Sequence, residues 1–501
     1  MANPQGAISL SAQTHDTLAE AVQARLKQPG WRFGHFTARM LSPRRVALEA
    51  LLLDTHSGAC QILSAYLPEG VLEYPALAPL VPAAHRAERA VRDFFGLRAV
   101  GQRRSNSLIL HDNVWPLDFT PLAPELGGSR DPYTFREVEG EGVHEIPVGP
   151  IHAGIIEPGH FRFSCVGEIV TNLEIRLGYQ HRGVEHRLAS LPWRQTRYLA
   201  ESASSDTAAG NALAHSVALE QLLGVEPPPR AQALRTMALE VERLANHAGD
   251  LGALCGDIGY SAGAALFPPL RGAAIALAQL LSGNRRQRWY ILPGGVARDL
   301  TEVRRSEFAE GLTELARRLN DYIPLVLDNP GVLDRMEGTG RLSASLARDF
   351  GLVGPAARAS GSDYDARTAF AHGLYPAHAP TPARRETGDV LARAQVRADE
   401  IQTSVSLLAE LVETLPDGPY RVDCPERLPV DAVGVGIVEA WRGELIHWVT
   451  TDVEGQIARY AIKDPSLNNW TGLAIAARNN LVADFPLCNK SFNLSYSGND
   501  L

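Results

Sequence analysis

The sequence lacks any pair of neighbouring cysteines. It has 501 residues and five cysteines, and each cysteine stands at least 64 residues from the next. This spacing excludes a zinc or iron–sulfur site built on a Cys-x-x-Cys pair, although it leaves open a site assembled from distant residues. The odd count and isolated placement favour a reducing compartment. The cysteines are Cys60, Cys165, Cys255, Cys424 and Cys488.

The sequence also lacks a basic block, a secretory signal and a long apolar run. Its formal net charge is −9, from 48 Lys and Arg against 57 Asp and Glu, which argues against a nucleic-acid binder held by phosphate contacts. The first residues contain no basic segment followed by an apolar stretch. The longest apolar stretch, Ala273–Leu281, is about half of the roughly 18 residues that a membrane span needs. We therefore expect any link to a membrane to come through partners.

What is present indicates an α+β protein of two or three domains, at about 150 residues per domain. Residues 1–120 predict a small α+β domain, with strand-like stretches at Trp31–Met40 and Arg45–Asp54 and a helix over about 83–95. Residues 121–144 are rich in Pro, Gly and charge and predict a linker. From 145 to 501 we expect a mostly helical domain with a short β region at Gly434–Asp452. Apolar residues at helical spacing predict its core, among them Leu234, Met237, Val241, Leu244 and Leu251.

The segment Gly149–Ala189 concentrates histidine, glutamate and arginine among Pro and Gly turns. Clustered side chains of these types suit proton relay or anion placement. On its own, however, such a cluster is more often a surface network of salt bridges. Its ionisable residues are His152, Glu157, His160, Arg162, His181, Arg182, Glu185 and His186.

The order of several motifs resembles a known family. HRAERAVRDFFGLRAVG and WPLDFTPL are followed by the His/Glu/Arg segment, LPGGVARDL, ETGDVLARAQVRADEI and EAWRGEL. The chain resembles the large subunit shared by energy-converting, hydrogenase-4-like nickel–iron hydrogenases and respiratory complex I, fused behind the family's small accessory domain. The resemblance implies the α+β architecture above and an oxidoreductase complex concerned with electron transport, NAD binding, quinone and proton translocation.

The departures from this family concern its metal site. The hydrogenase relatives hold nickel and iron with four cysteines in two Cys-x-x-Cys pairs. Here the corresponding positions are Ser204 and Thr207, or Ala208 and Asn211 in a shifted register, and near the C-terminal residues Ser495 and Gly498. Hydroxyls that stay protonated near neutral pH do not replace soft thiolates. We therefore expect no nickel–iron centre and no metal held by this chain.

The resemblance also bears on quinone. Complex I relatives pair a histidine with a facing tyrosine to protonate quinone; here His152 keeps the first histidine position, Ile156 falls where the second would lie, and no tyrosine occurs on the facing loop. His152, Glu157 and Asp206 remain as candidates for a proton relay or an acceptor cavity, with His160 and His215 as further proton donors. Glu157 resembles a proton-relay glutamate, but a salt bridge to Arg162 or Arg182 fits equally well.

The resemblance implies partners that carry the redox centres. Arg182, with His181 beside it, resembles an arginine next to an iron–sulfur cluster of a partner subunit. The expected partners are a complex I-type iron–sulfur subunit, a ferredoxin-like iron–sulfur subunit, and membrane subunits of the quinone-site and antiporter type, on the cytoplasmic side of a bacterial inner membrane. Two function classes stay open: a redox subunit with a quinone or other acceptor cavity, and a non-catalytic scaffold or coupling subunit.

Overall fold

The computed structural model describes residues 7–154 and 156–501. Residues 1–6, on which the prediction about a secretory signal partly rests, lie outside the described residues. The N-terminal region forms a four-stranded sheet in the order β1-β4-β3-β2, with β1 parallel to β4 and the other pairs antiparallel. Its elements are β1 (Ile8–Gln13), α1 (Leu18–Leu26), β2 (Trp31–Ser42), β3 (Arg45–Asp54), β4 (Cys60–Tyr66), β5 (Glu73–Pro75), α2 (His85–Phe95) and β6 (Arg98–Val100).

Strand β3 is apolar on both faces, because it lies between two cores. Leu48, Ala50 and Leu52 face the core of the N-terminal region. Leu51 and Leu53 face the opposite way and pack with residues of a C-terminal sheet. Because side chains alternate along a strand, this buried run joins the two regions of the molecule through one sheet.

The remaining chain begins with a three-stranded antiparallel sheet and continues mainly as helices. The elements are β7 (Val143–Val148), β8 (His160–Val166), β9 (Ile169–Arg176), α3 (Val184–Ser190), α4 (Trp193–Ala200), α5 (Ala208–Leu223), α6 (Pro229–Asp257), α7 (Ser261–Ser282), β10 (Ile291–Leu292), β11 (Gly295–Val296), α8 (Glu302–Leu327), α9 (Pro330–Met336), α10 (Ala344–Asp349), α11 (Gly354–Arg358), α12 (Ala366–Ala369), α13 (Val390–Glu413), β12 (Val433–Ala440), β13 (Gly443–Thr451), β14 (Ile457–Lys463), α14 (Ser466–Ala476) and α15 (Phe485–Phe492).

The long helices α6, α7, α8 and α13 form the main core, and the apolar residues predicted for α6 are buried there. The predicted β region is a hairpin, β12–β13, extended by β14. The α+β class is confirmed. The sheet β7–β9 was not predicted, because its Pro and Gly residues indicated turns while the alternation of buried Phe161, Phe163 and Cys165 in β8 is short.

The sequence predicted no segment long and apolar enough to span a membrane, and helix α7 corrects this prediction. It has 22 residues and a mean hydropathy of 1.4 over its best window, which is long and apolar enough to cross a membrane by these measures. The contiguous apolar run is short because Pro268, Pro269 and Arg271 interrupt it. Leu270, Leu277 and Leu281 pack into the main core, so one side of the helix is an ordinary core surface.

Candidate functional site

The four positions assigned to lost metal ligands lie together. Ser204 and Thr207 are in the turn that leads into α5, and Ser495 and Gly498 are in the segment after α15. The Ser204 and Ser495 hydroxyl oxygens are 3.0 Å apart. The Gly498 N–H donates to the Ser495 hydroxyl at 2.8 Å. Two segments almost 300 residues apart in sequence therefore meet.

An ion pair occupies this place. The Arg442 guanidinium donates to both carboxylate oxygens of Asp206, each at 2.7 Å. Such a two-pronged contact is the strongest geometry for an arginine–carboxylate pair. Although burial opposes it, Arg442 lowers the pKa of Asp206 to about 2, so the carboxylate stays charged at neutral pH.

The hydroxyls of Ser204 and Thr207 donate to the same carboxylate. Ser204 donates to the Asp206 Oδ1 at 3.0 Å and Thr207 donates to it at 3.2 Å. The Arg442 Nη1 also donates to the Thr207 hydroxyl oxygen at 3.1 Å. Two hydroxyls and a guanidinium thus surround the Asp206 carboxylate at the predicted ligand positions.

The glycine at position 498 is required by its neighbour. A Cβ at this position would lie 2.3 Å from the Asp464 Oδ2, far inside contact distance. Asp464 is fully buried, and burial raises its pKa although Arg442 lowers it. Any side chain at 498, a cysteine included, would collide with this carboxyl group.

Glu157, Arg182 and His181 gather around the C-terminal segment. Tyr496 N–H donates to the Glu157 Oε2 at 3.3 Å. Arg182 donates to the carbonyl oxygens of Ser202 and Ala203 at 3.0 and 2.9 Å, directly before Ser204. Burial lowers the pKa of Arg182, while Glu157 and Asp500 raise it. Arg162 pairs with Glu145 instead of Glu157.

His181 packs between the two regions of the molecule. Its ring stacks on Phe94 with centroids 5.7 Å apart, and its Nδ1 lies 3.4 Å from the Asp500 carbonyl oxygen. Burial lowers its pKa, which keeps the ring neutral. The pKa of the Asp500 carboxyl is raised to about 6 by burial.

His152 stays within its own loop. Its Nε2 is 2.7 Å from the Gly159 carbonyl oxygen, and its ring packs against Phe161 at 5.7 Å. Within the described ranges, no hydrogen bond or ion pair joins His152 or Glu157 to Asp206. Ile156 lies in the same loop and is half-buried against the core under β8. The structure thus unites Ser204, Asp206, Thr207, Ser495 and Gly498 in one cluster, and holds Glu157, Arg182 and His181 beside the same C-terminal segment.

Sequence reasoning found both residues of the ion pair but not their contact. By sequence, Arg442 of the EAWRGEL motif resembles the family's arginine near the diatomic-ligand side of the cavity, although a structural role fits at least as well. Asp464 and Glu242 were not singled out. Arg442 follows Trp441 at the β12–β13 turn, and its guanidinium lies 3.9 Å from the centre of that indole ring. No signal in the sequence pairs it with Asp206, which is 236 residues away.

The open space at the site is small. A pocket of about 80 Å³ reaches Asp206 from the surface between α6 and α7, whereas pockets for small-molecule ligands usually measure about 300–1,000 Å³. Among the described residues, no group of three or more His, Cys, Asp or Glu side chains is arranged to hold a metal ion.

Comparison with known proteins gives the chain its relatives. The family described as respiratory-chain NADH dehydrogenase, 49 Kd subunit, matches residues 257–435, and the corresponding 30 Kd subunit matches residues 14–126. Formate hydrogenlyase subunit 5 of Escherichia coli is 32% identical over 85% of this chain and 77% of that protein. Hydrogenase-4 component G of the same organism is 31% identical over 92% of this chain and 82% of that protein.

A solved structure extends the comparison. The structure of the membrane-bound sulfane sulfur reductase, an archaeal respiratory membrane complex, contains a chain that matches with a TM-score of 0.68 and 26% identity, over 72% of this chain and 99% of that one. These matches confirm the resemblance drawn from the motifs. The chain belongs to the family of large subunits that membrane-bound hydrogenases and respiratory-chain NADH dehydrogenases share, with a 30 Kd-type domain preceding it in the same polypeptide.

Proposed function

We propose that this chain is a peripheral subunit of a membrane-bound, ion-translocating oxidoreductase of the complex I-like and hydrogenase-4-like kind, and that its site holds no nickel–iron centre. The chemistry of the four predicted ligand positions carries this proposal. Ser204, Thr207 and Ser495 offer only hydroxyls that stay protonated near neutral pH and bind nickel poorly, and Gly498 offers no side chain. The Asp206–Arg442 pair lies among these positions.

The redox centre belongs to a partner in this proposal. The chain offers no cysteine cluster of its own, so electrons would come from a complex I-type iron–sulfur subunit and a ferredoxin-like one. We expect such a subunit to lie beside Arg182 and His181 and to cover the Ser204 turn, whose preceding carbonyl oxygens accept from Arg182. Membrane subunits of the quinone-site and antiporter type would complete the assembly, with this chain on the cytoplasmic side of a bacterial membrane.

The acceptor cavity forms only in the complex. A pocket of about 80 Å³ in the free chain is too small for a quinone ring and its tail, so a partner surface must provide the other wall. Quinone is the first acceptor to test, because relatives include NADH-quinone oxidoreductase subunits. The structural neighbour is a sulfane sulfur reductase, so sulfur compounds are the second acceptor to test.

A non-catalytic scaffold or coupling role is the alternative, and one observation favours it. Asp206 is fixed as an anion, and in the described part of the chain neither His152 nor Glu157 touches it. A site without a converging set of proton donors fits a subunit that transmits movement or charge and carries out no reaction itself.

The test is to purify the chain with its native partners, then to measure bound iron and extract quinone from one sample. Iron together with quinone supports the acceptor cavity. Iron without quinone, and without reduction of sulfur compounds, supports the scaffold role.

Arg182→Ala tests the expected iron–sulfur neighbour. A positive charge near a cluster stabilises its reduced form, so its loss should lower the reduction midpoint of that cluster. Redox titration of the purified complex followed by electron paramagnetic resonance measures this midpoint. Arg187→Ala, an exposed arginine on α3, is the matched control. A midpoint equal to that of the control would contradict the assignment of Arg182.

A further inference from the structure

A second carboxyl group reaches the pocket beside Asp206. The pocket is lined by Asp206, Glu242 and Asn246 from the site side, and by three arginines at its outer rim. Glu242 projects from α6 and is only 8% exposed. Both acidic side chains therefore line one small opening to solvent. The arginines are Arg271, Arg285 and Arg286.

Glu242 is held without a cation. Its two oxygens accept the N–H groups of Ala209 and Gly210, at 2.8 and 3.0 Å, at the start of α5. Among the residues that the structure describes, Glu242 forms no ion pair. Asp206, by contrast, has both oxygens engaged by one guanidinium.

The two carboxyl groups consequently differ in what they can do with a proton. A carboxylate clamped by arginine gives up its charge only in strong acid. A buried carboxyl that forms no ion pair among the described residues, in a pocket that admits water, exchanges protons far more readily.

We propose that Glu242 is the residue that takes up and releases protons at this site, through the pocket between α6 and α7. As an acid it gives a proton to the pocket water and becomes a carboxylate that Ala209 and Gly210 N–H groups stabilise. It then recovers the proton from solvent through the same opening. This inference deepens the proposed function by naming its proton-exchanging group, and it rests on that function for its role in the assembled complex.

The surroundings of Glu242 allow both its acid and its carboxylate form near neutral pH. Burial raises the pKa of Glu242 to about 8; the nearby Asp206 carboxylate also raises it, while the α5 N–H groups and Arg243 of α6 lower it. From α7 comes Arg271, which lies across Gly249. From the following loop comes Arg286, which donates to the Ser205 carbonyl oxygen at 3.4 Å, and Arg285 completes the charged groups facing the pocket.

Infrared difference spectroscopy of the full chain tests this. Subtracting the spectrum of Glu242→Gln from that of the native chain isolates the carboxylic-acid C=O band of Glu242. We expect this band to be present at about pH 6.5 and its intensity to be about nine-tenths lower at about pH 9.5, because the acid has then lost its proton. Glu314→Gln, an exposed glutamate on α8, should leave the band unchanged. Absence of a difference band, or a band that does not respond to pH, overturns the proposal.

A second variant covers the case in which Glu242→Gln does not fold. Glu242→Asp keeps an acid with a shorter side chain, so the band should move in frequency while still responding to pH. A band that stays in place does not belong to Glu242 and overturns the assignment. The infrared measurement uses the chain alone, whereas the metal and quinone analysis uses the whole complex. The proposal for Glu242 can therefore fail while the proposed function holds, and the proposed function can fail while the proposal for Glu242 holds.

Discussion

At the scale of single residues, the site depends on one charge pair and the small groups around it. Arg442 receives its position from Trp441 beneath the guanidinium and from the Asn493 carbonyl oxygen, which accepts from its Nε at 2.6 Å. Asp206 in turn accepts hydrogen bonds from the hydroxyls of Ser204 and Thr207. Removing either charge leaves the other, which is at least partly buried, without compensation.

Arg442→Met should therefore destabilise the protein clearly. The loss leaves the Asp206 carboxylate with two hydroxyl donors and no cation. We expect the free energy of unfolding to fall by about 2–4 kcal/mol. This is less than the loss at a fully buried pair, because a third of the Asp206 side chain is exposed. The denaturant midpoint measures this loss. Arg335→Met, which breaks an exposed pair with Asp484, should change it by less than about 1 kcal/mol. Equal midpoints for the two variants would contradict a structural role for the pair.

The same pair predicts a pH dependence. Because Arg442 lowers the pKa of Asp206 from 3.8 to about 2, its stabilising effect is complete above about pH 4 and is lost as the pH falls towards 2. Between about pH 4 and about pH 2, the free energy of unfolding of Asp206→Asn should fall by about 1–2 kcal/mol less than that of the native chain. Denaturant midpoints at several acid pH values measure the difference. Asp321→Asn, an exposed carboxylate, should follow the native curve; an Asp206→Asn curve identical to it would count against the pair.

Some of this site was predictable from sequence and some was not. The order of motifs singled out Ser204, Thr207, Ser495 and Gly498, which the structure brings together. Their correspondence to metal-ligand positions stays a prediction. The pairing of Asp206 with Arg442 was not predictable. Local patterns report neighbours within a few turns of chain, whereas Asp206 and Arg442 are brought together only by the packing of α5 against β12.

At the scale of elements, the approach of α5 to β12 sets the geometry of the site. Gly434 and Gly436 of β12 lie against the helix backbone; a Cβ at Gly436 would be 1.9 Å from the Ala214 carbonyl oxygen. Ala214 and Ala218 present small side chains in this region, and both are fully buried. The helix can therefore lie close to the strand, so that the turn before α5 meets the turn after β12.

Gly436→Ala should push these two elements apart. The added methyl group has no space, so we expect a loss of about 3 kcal/mol in stability. Gly272→Ala is the matched control: this glycine lies within α7, has nothing within 4 Å of its would-be Cβ, and should gain about 0.5–1 kcal/mol in helix stability. Thermal unfolding of both variants measures the changes. A Gly436→Ala protein as stable as the control would show that the close approach is not required.

At the scale of the whole molecule, the N-terminal region and the large region share one interior. Arg459 of β14 donates to Thr37 of β2 at 2.9 Å and to Glu185 of α3 at 2.7 Å. Arg86 of α2 donates to Asn499 at 2.6 Å. The C-terminal segment, with Ser495 and Gly498, is thus held by both regions.

The division into an α+β region and a helical region was predictable from periodicity, because long apolar stripes and short alternating stretches differ in kind. Their union through β3 was not. A nearly continuous apolar strand, such as Val46–Leu53 with Glu49 as its one charged residue, indicates burial on both faces without saying which partner covers the second face.

The central claim is that an ion pair has replaced a metal centre, and nickel analysis of the native complex tests it most directly. The complex is purified from cells grown with ample nickel, and nickel and iron are measured per copy of this chain by mass spectrometry. The account predicts iron from the partner clusters and nickel below about a tenth of an atom per chain. About one nickel per chain would contradict it, and would mean that ligands other than Ser204, Thr207, Ser495 and Gly498 hold the metal.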